Sequence, residues 1–488
     1  MKRREALQHI GLGVSAGLIF PAWLSSCKSD DPKPEITYDG VVGVIGAGAA
    51  GLHVADILRS KGIPVRIFEA SDRIGGRVRS LQRLTQPSTA LLFDPDNLPT
   101  STYPTELGAQ FVLGADSAWG KIISQLNVQM VEFGTLGSES YFVDGTIKTA
   151  ADLAGDADFI AAQNFVTNLA SNTSTGSVQQ AIAGAAINSR MYAILNSWIG
   201  NRLGTSDDQL GAKAVAEALA LQTRNNQQFV LKSNLMEDAL LSRFSNVIPY
   251  VEVNSVVKSV NYSGDKIVVS GDTTGAGSFT AEVDRLIVTV PVSILKSGLI
   301  AFSPALPSAK TTALSRMAMD ASIRVRLEFK KNFWGANSTY IYGGTQAPQY
   351  YNAGLGRDDA HKTLDITIQG PKAAELSAKG KDMVLVILAE LDAVFNGQAT
   401  ENVRRDGQNN ILYVIMDWSK EPYIGGGTAY IKAGGSNQDK LDLAEAIDKK
   451  LFFAGEATDN AGEYGTISGA LQSAERASQE VVDSIVTV

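Results

Sequence analysis

Two short apolar segments near the start of the chain enclose a helical one. Residues 41–45 and 63–68 are runs rich in β-branched side chains, which is typical of buried strands. Between them, residues 52–60 carry apolar positions at helical spacing, and Lys61-Gly62 closes the segment. The pattern predicts a strand–turn–helix–strand unit.

The rest of the chain mixes both periodicities. Residues 150–220 are rich in alanine with apolar positions three to four apart and predict helices, as do residues 468–484. Residues 321–329 alternate polar and apolar side chains, and residues 383–391 are mostly apolar; we predict both segments as strands. Gly275-Ala276-Gly277 predicts a hairpin turn.

A glycine-rich turn follows the first predicted strand. Its sequence is Gly46-Ala47-Gly48-Ala49-Ala50-Gly51. The first glycine permits a tight turn, the second lets the backbone approach a pyrophosphate at the helix N-terminus, and the third lets helix and strand pack closely. Glu69 ends the second predicted strand, where a carboxylate accepts hydrogen bonds from a ribose. The unit predicts dinucleotide binding, and an acidic residue at position 69 disfavours NADP.

The first 26 residues predict an export signal. Arg3-Arg4 resembles a twin-arginine motif, and an apolar run follows that is too short for a dependable membrane span. Leu24-Ser25-Ser26-Cys27 resembles a bacterial lipobox, in which the cysteine becomes the lipidated first residue. We therefore expect a bacterial lipoprotein, periplasmic or associated with the outer membrane, with residues 27–37 as a tether. The alternative is an ordinary buried cysteine.

The composition limits the kinds of site and partner that the chain can have. The chain has 488 residues, of which 44% are apolar, with one cysteine and three histidines. These numbers support a large core, exclude an internal disulfide and disfavour a metal centre. The net charge of −8 argues against nucleic acid as a partner. The sequence leaves the oligomeric state open.

Residues 44–79, with Arg73 and Gly75-Gly76-Arg77, resemble the flavin-dependent amine oxidase superfamily of monoamine, polyamine and L-amino-acid oxidases. Further likeness lies in residues 106–111, 418–430, 452–458 and 465–470. The resemblance implies an α/β chain of the amine oxidase and glutathione-reductase-like FAD fold. A Rossmann-like FAD-binding domain (38–115, 245–300 and 415–488) would interleave with an α+β substrate domain (116–244 and 301–414).

The resemblance also implies site residues. Beyond the glycine turn and Glu69, those expected to contact FAD are Arg73, Gly76, Arg77, Gly108, Ala109, Gln110, Val257, Gly455, Glu456, Thr466 and Ile467. Trp418 and Thr466 would lie beside the flavin ring. Thr466-Ile467 would open a helix whose positive end faces that ring.

One position departs from the superfamily pattern. Many members carry a lysine that holds a water against flavin N5, and the residue here, counted back from Phe333-Trp334, is Arg324. It could bind a substrate carboxylate bidentately, or it could point outward with Arg326 and be solvated. Period-two alternation places both arginines on one face and predicts one environment for both.

Two further departures concern the flavin and the substrate. Covalent members attach FAD through a cysteine where this chain has Gly427, so we expect non-covalent FAD. The aromatic cage of monoamine oxidases falls on Thr428 and Thr466. Tyr423, Tyr430 and Tyr464 could substitute for the cage or could be packing residues.

No second dinucleotide motif follows a predicted strand, so electrons should come from the substrate and leave to oxygen or a redox carrier. By resemblance, we expect hydride transfer to flavin N5 from a primary or secondary amine or an L-amino acid. Imine hydrolysis and peroxide release would follow. The alternatives are a flavin desaturase or dehydrogenase of a non-amine substrate, and a non-catalytic FAD-bearing surface lipoprotein.

Overall fold

The computed structural model describes residues 37–83, 85–99, 101–357, 362–463 and 465–486. The predicted export signal and Cys27 lie outside these residues. The helices within them are α1 (Ala49–Ser60), α2 (Ala118–Gln125), α3 (Ala157–Thr167), α4 (Val178–Gly184), α5 (Tyr192–Trp198), α6 (Ala212–Leu221), α7 (Met236–Arg243), α8 (Val292–Ser297), α9 (Ser308–Arg316), α10 (Pro371–Ser377), α11 (Met383–Val394), α12 (Gln398–Asn402), α13 (Asn437–Ala444) and α14 (Ile467–Ile485).

The strands in the same part of the chain are mostly short. They are β1 (Val42–Ile45), β2 (Val65–Phe68), β3 (Leu91–Phe93), β4 (Val112–Leu113), β5 (Met130–Glu132), β6 (Ser138–Val143), β7 (Thr146–Thr149), β8 (Gln228–Leu231), β9 (Val251–Glu252), β10 (Ser255–Asn261), β11 (Ile267–Thr273), β12 (Gly277–Val283), β13 (Arg285–Val288), β14 (Ala301–Ser303), β15 (Met317–Met319), β16 (Ser322–Glu328), β17 (Ser338–Tyr342), β18 (Gln349–Asn352), β19 (Thr363–Gln369), β20 (Tyr413–Asp417), β21 (Ala429–Ile431) and β22 (Leu451–Phe453).

A five-stranded parallel sheet contains the predicted strand–turn–helix–strand unit. Its order is β22-β13-β1-β2-β9, with Val42 opposite Val65 on one side and Arg285 on the other. Successive side chains point to opposite faces of the sheet, and both faces are buried, as expected for a parallel sheet. Val44 packs with α1 and α14, whereas Ile45 packs with the four-stranded sheet β12-β11-β10-β14. This arrangement confirms the predicted Rossmann-like unit.

A second large sheet contains Arg324 and Arg326. It has eight strands in the order β3-β20-β16-β19-β18-β17-β6-β7. β16 and β19 are antiparallel, and polar and apolar residues alternate along both strands. Ile323, Val325 and Leu327 are fully buried against α11, which leaves the even-numbered polar residues of β16 on the opposite face. The domain boundaries proposed from the sequence stay a prediction.

Several sequence predictions can be compared directly with these elements. The helices predicted in residues 150–220 are confirmed as α3 to α6, the Gly275 turn joins β11 to β12, and α14 is the predicted C-terminal helix. The strand predicted at 383–391 is wrong, because this segment forms α11. Its buried positions, Met383, Val384, Ile387, Leu388 and Leu391, mark one helical face. None of the described helices has both the length and the apolar character needed to cross a membrane.

Candidate active site

The glycine turn between β1 and α1 has the geometry that the sequence predicts. Gly46 has φ of +105°, in the region that favours glycine. A methyl group on Gly51 would lie 1.9 Å from the Gly46 carbonyl oxygen, so helix and turn are in close contact. A methyl group on Gly48 would have no described heavy atom within 4 Å. The turn therefore presents open space directly above Gly48.

Glu69 ties this turn to the end of β2. Its Oε2 accepts a hydrogen bond from the Ala47 amide at 2.7 Å, and its Oε1 accepts one from the Ser71 amide at 2.9 Å. The carboxylate is buried and lies on the wall of the cavity above the turn. Its position is fixed at the carboxyl end of the parallel sheet, where nucleotides bind in such folds.

A cavity of about 810 Å³ runs along this edge of the sheet. Most of the predicted cofactor-binding residues line it, namely Gly46, Gly48, Ala49, Ala50, Glu69, Arg73, Gly76, Arg77, Gly108, Ala109, Val257, Gly455, Glu456, Thr466 and Ile467. Gly51 lies beneath the turn rather than in the wall, and Gln110 lines a neighbouring cavity instead. We call this long space the cofactor cavity.

Two arginines supply positive charge to the cofactor cavity. Arg77 donates from Nη1 to the Gly427 carbonyl at 2.7 Å and to Glu456 Oε1 at 2.8 Å. Arg73 donates to the Gly76 carbonyl, and its Nε is buried without a partner among the described residues. Burial lowers the pKa of Arg73, and Glu237 compensates its charge only from 3.8 Å. A partly compensated cation beside a glycine turn suits a pyrophosphate.

The far end of the cofactor cavity is closed by Trp418 and the start of α14. Trp418 donates from Nε1 to the Leu107 carbonyl at 2.8 Å. Thr466 caps α14 by accepting from the Gly469 amide at 3.0 Å. The uncapped amides and the helix dipole put partial positive charge at this end.

A second cavity, of about 450 Å³, adjoins the first. We call it the substrate cavity. Ala109, Arg324, Gln369, Thr428, Gly465, Thr466 and Ile467 line both spaces, so the two cavities meet there. The aromatic residues of its wall are Phe111, Trp119, Tyr141, Trp198, Tyr340 and Tyr342.

Sequence reasoning missed these aromatic residues, and of the tyrosines it offered as cage or packing residues, Tyr423 and Tyr430 do not line the substrate cavity. Tyr430 is fully buried outside the substrate cavity, with its hydroxyl 2.9 Å from Asp320 Oδ2, and Tyr423 lines the cofactor cavity. Tyr464 lies outside the described residues. Tyr340 and Tyr342 stand two apart on β17, so period-two alternation was the available signal.

Arg324 and Arg326 share a face of β16 but not an environment. Arg324 donates from Nη1 to Gln110 Oε1 and to Thr367 Oγ1, both at 2.6 Å, and burial lowers its pKa. Arg326 forms a bidentate ion pair with Asp365, at 2.6 and 2.7 Å. The prediction of one shared environment is wrong, and so is the solvated alternative. The difference arises because Asp365 lies opposite Arg326, whereas Thr367 lies opposite Arg324.

Glu106 is buried and directly precedes Leu107, whose carbonyl accepts the hydrogen bond from Trp418. It accepts hydrogen bonds from Ser80 Oγ at 2.5 Å and from the Met236 amide at 2.9 Å. Burial raises the pKa of the Glu106 carboxyl to about 7, although both hydrogen bonds oppose this. It supports the segment that carries Gly108 and Gln110.

The family model for flavin-containing amine oxidoreductases matches residues 49–245 and 250–482. The chain belongs to this family. The chain is also 25% identical over 489 residues to the human lysine-specific histone demethylase 2, covering 95% of this chain and 56% of that protein. It thus spans about half the length of the curated relatives it matches.

Solved structures share the fold of this family member. Wild-type putrescine oxidase bound to putrescine matches with a TM-score of 0.73 and 18% identity, over 91% of this chain and 99% of that one. Cyclohexylamine oxidase from Brevibacterium oxydans matches with a TM-score of 0.72 and 18% identity, over the same shares of the two chains. The predicted α/β FAD fold is therefore confirmed.

FAD is the cofactor of this flavin-containing family, and the chain holds it without a covalent bond. A side chain at Gly427 would place its Cβ 2.4 Å from that of Ser322 and 2.7 Å from Gln369 Oε1. A cysteine does not fit there without displacing both residues, and the sequence has none beyond Cys27. The open turn at Gly48, the fixed Glu69 and the Arg73 cation fit the dinucleotide.

Proposed function

We propose that this FAD-dependent oxidoreductase oxidises a primary or secondary amine or an L-amino acid and passes the electrons to oxygen. The observation that carries the proposal is the junction of the two cavities, where Arg324, Thr428 and Thr466 border both spaces. A small molecule in the substrate cavity would meet the ring end of the cofactor there.

The walls of the substrate cavity support amine chemistry. Phe111, Trp198 and Tyr340 form an aromatic part of the wall, and the loss of water beside it favours the neutral amine, whose adjacent C–H bond is the hydride donor. The N-terminus of α14, capped by Thr466, favours negative charge nearby. When bound, FAD supplies the hydride acceptor at N5. Water would hydrolyse the imine product to an aldehyde or 2-oxo acid with release of ammonia or an amine, and two-electron reduction of oxygen would yield hydrogen peroxide.

The test is anaerobic reduction of the bound flavin by a panel of amines and L-amino acids, followed by admission of air and a peroxide assay. We expect at least one amine or amino acid to bleach the flavin and to release peroxide stoichiometrically. Bleaching only by non-amine substrates would contradict the proposal and favour a desaturase or dehydrogenase. Bleaching by no compound would favour a non-catalytic FAD-bearing lipoprotein. Bleaching without release of peroxide would indicate that a redox carrier, rather than oxygen, accepts the electrons.

We further propose that the protein is exported by the twin-arginine route and anchored to a bacterial membrane by lipid on Cys27. Because this route carries folded proteins, it suits a cofactor inserted before export. Cys27→Ala should abolish labelling by radioactive palmitate and leave the signal uncleaved, whereas Arg3→Lys with Arg4→Lys should retain the protein in the cytoplasm. Palmitate labelling that persists in the Cys27→Ala variant would overturn the anchor.

A further inference from the structure

A guanidinium that forms no ion pair with any described residue, that of Arg324, lies where the two cavities meet. The Nη1 atom of Arg324 donates only to neutral oxygens, those of Gln110 and Thr367. Among the described residues no carboxylate forms an ion pair with this guanidinium, and its Nε and Nη2 have no protein acceptor. A buried charge that lacks a partner is costly, so this arrangement calls for an anion from outside the chain.

The nearest carboxylate is already committed elsewhere. Asp365 uses Oδ1 on Arg326 Nε and Oδ2 on Arg326 Nη2, and the same Oδ2 accepts from Gln110 Nε2 at 3.0 Å. The Asp365–Arg326 pair is buried and close to neutral as a whole. Asp365 therefore acts on Arg324 only at a distance.

Gln110 joins the two charged groups without neutralising Arg324. Since a guanidinium only donates and a carboxylate only accepts, the amide must turn its oxygen to Arg324 and its nitrogen to Asp365. This fixes the rotation of the amide and, with Thr367, fixes Nη1. The remaining donors of Arg324 are thereby held in a defined direction.

The position of the partners assigns the guanidinium to the substrate side. Gln110 and Thr367 both line the substrate cavity, and neither lines the cofactor cavity. The phosphate-binding features, Gly48 and Arg73, belong to the cofactor cavity alone. An anion on Arg324 would therefore be part of the substrate rather than of FAD.

We propose that Arg324 binds the carboxylate of an amine substrate, so that the substrate class is amino acids and related amino carboxylates. In this proposal Gln110 is a positioning residue for Arg324. The identification of the anion as part of a substrate rests on the proposed function, but its binding to Arg324 is measurable without turnover.

The experiment titrates benzoate, and benzamide as its uncharged isostere, into the oxidised FAD-bound protein and follows the flavin absorbance spectrum. We expect benzoate to bind at least about 20-fold more tightly than benzamide, as for charge-assisted hydrogen bonds. Arg324→Met should remove this preference. Arg202→Met is the matched variant, because Arg202 lines the same cavity but is exposed, and it should change benzoate affinity by less than about 3-fold.

Equal affinity for benzoate and benzamide would overturn the proposal, and so would a larger loss at Arg202 than at Arg324. Absence of a benzoate effect in the presence of bound FAD would also overturn it. An Arg324→Met variant that keeps benzoate affinity but loses FAD would assign the guanidinium to the cofactor instead.

Gln110→Met tests the positioning role, because methionine keeps the length of the side chain and removes both hydrogen bonds. Benzoate binding should weaken by about 5- to 20-fold while benzamide binding is kept. Equal weakening of both ligands by Gln110→Met would show a merely structural role and refute positioning.

The two proposals fail differently. If benzoate binds through Arg324 but no amine or amino acid reduces the flavin, the anion site is supported and the proposed amine oxidation is refuted. If amines that lack a carboxylate reduce the flavin and benzoate is not preferred over benzamide, the amine oxidation is supported and the anion site is refuted.

Discussion

Alanine at Gly48 and at Gly51 should separate cofactor binding from folding. Gly48 has φ of −79° and ψ of −174°, which alanine adopts without strain, and its added methyl would meet no described atom within 4 Å. The methyl would instead fill the space into which a pyrophosphate must come to reach the amides of α1. At Gly51 the methyl would lie 1.9 Å from the Gly46 carbonyl oxygen, so the backbone itself must move.

The magnitudes differ accordingly. Gly51→Ala should cost about 1–3 kcal/mol in the free energy of unfolding, as for other overpacked sites. Gly48→Ala should cost the FAD-free protein less than about 1 kcal/mol, because alanine is a poorer N-cap than glycine but also restricts the unfolded chain. Loss of one hydrogen bond to the pyrophosphate is worth about 1.5–3 kcal/mol and should raise the Kd for FAD roughly 10- to 100-fold.

The assay is thermal unfolding of the FAD-stripped proteins with and without added FAD. At an FAD concentration of 100 Kd the wild type gains about 2.7 kcal/mol, and a variant with about 30-fold weaker binding gains about 0.9 kcal/mol. Without FAD, the stability of Gly48→Ala should therefore lie within about 1 kcal/mol of the wild type, and added FAD should stabilise this variant much less than the wild type. Gly51→Ala should be less stable than the wild type in both conditions. Wild-type FAD affinity in Gly48→Ala would refute the assignment of this turn to the pyrophosphate.

Three further outcomes are expected. Glu106→Gln keeps the hydrogen bond from the Met236 amide, and its new Nε2 can donate to Ser80 Oγ in place of the bond that Ser80 donates. The variant removes a carboxyl whose pKa burial raises to about 7. It should therefore abolish a loss of stability of up to about 3 kcal/mol as the pH rises from 4 to 7, measured by urea unfolding; an unchanged pH profile would contradict this. Thr466→Ala should cost about 1 kcal/mol and Thr466→Ser almost none in the same assay, because only the serine can cap α14; equal losses would argue against the cap. Acid precipitation should release FAD into the supernatant, since Gly427 offers no attachment point; flavin in the pellet would contradict non-covalent binding.

The cofactor half of the site was predictable because local sequence determines it. The turn from Gly46 to Gly51 and the carboxylate at Glu69 follow from one strand–turn–helix–strand unit, in which each residue needs only its neighbours. The helix at Met383–Val394 was missed because a continuous apolar run gives no contrast between helical and strand periods.

The substrate cavity was not predictable in this way, because its wall is assembled from distant segments. Phe111 precedes β4, Trp198 ends α5 and Tyr340 lies on β17, and only the tertiary packing brings them together. Their individual positions resemble ordinary core residues in the sequence. Family likeness did not help either, since the equivalent cage positions are threonines in this chain.

Arg324 and Arg326 show what strand periodicity leaves undetermined. Alternation correctly places both on one face, but whether each arginine meets a carboxylate depends on the residues of the neighbouring strand. In the antiparallel register of β16 and β19, a residue two positions later on one strand meets a residue two positions earlier on the other. Asp365 therefore meets Arg326, and Thr367 meets Arg324. A shift of the register by two residues would exchange the paired cation and the unpaired one, so the proposed carboxylate site depends on strand register rather than on the arginine alone.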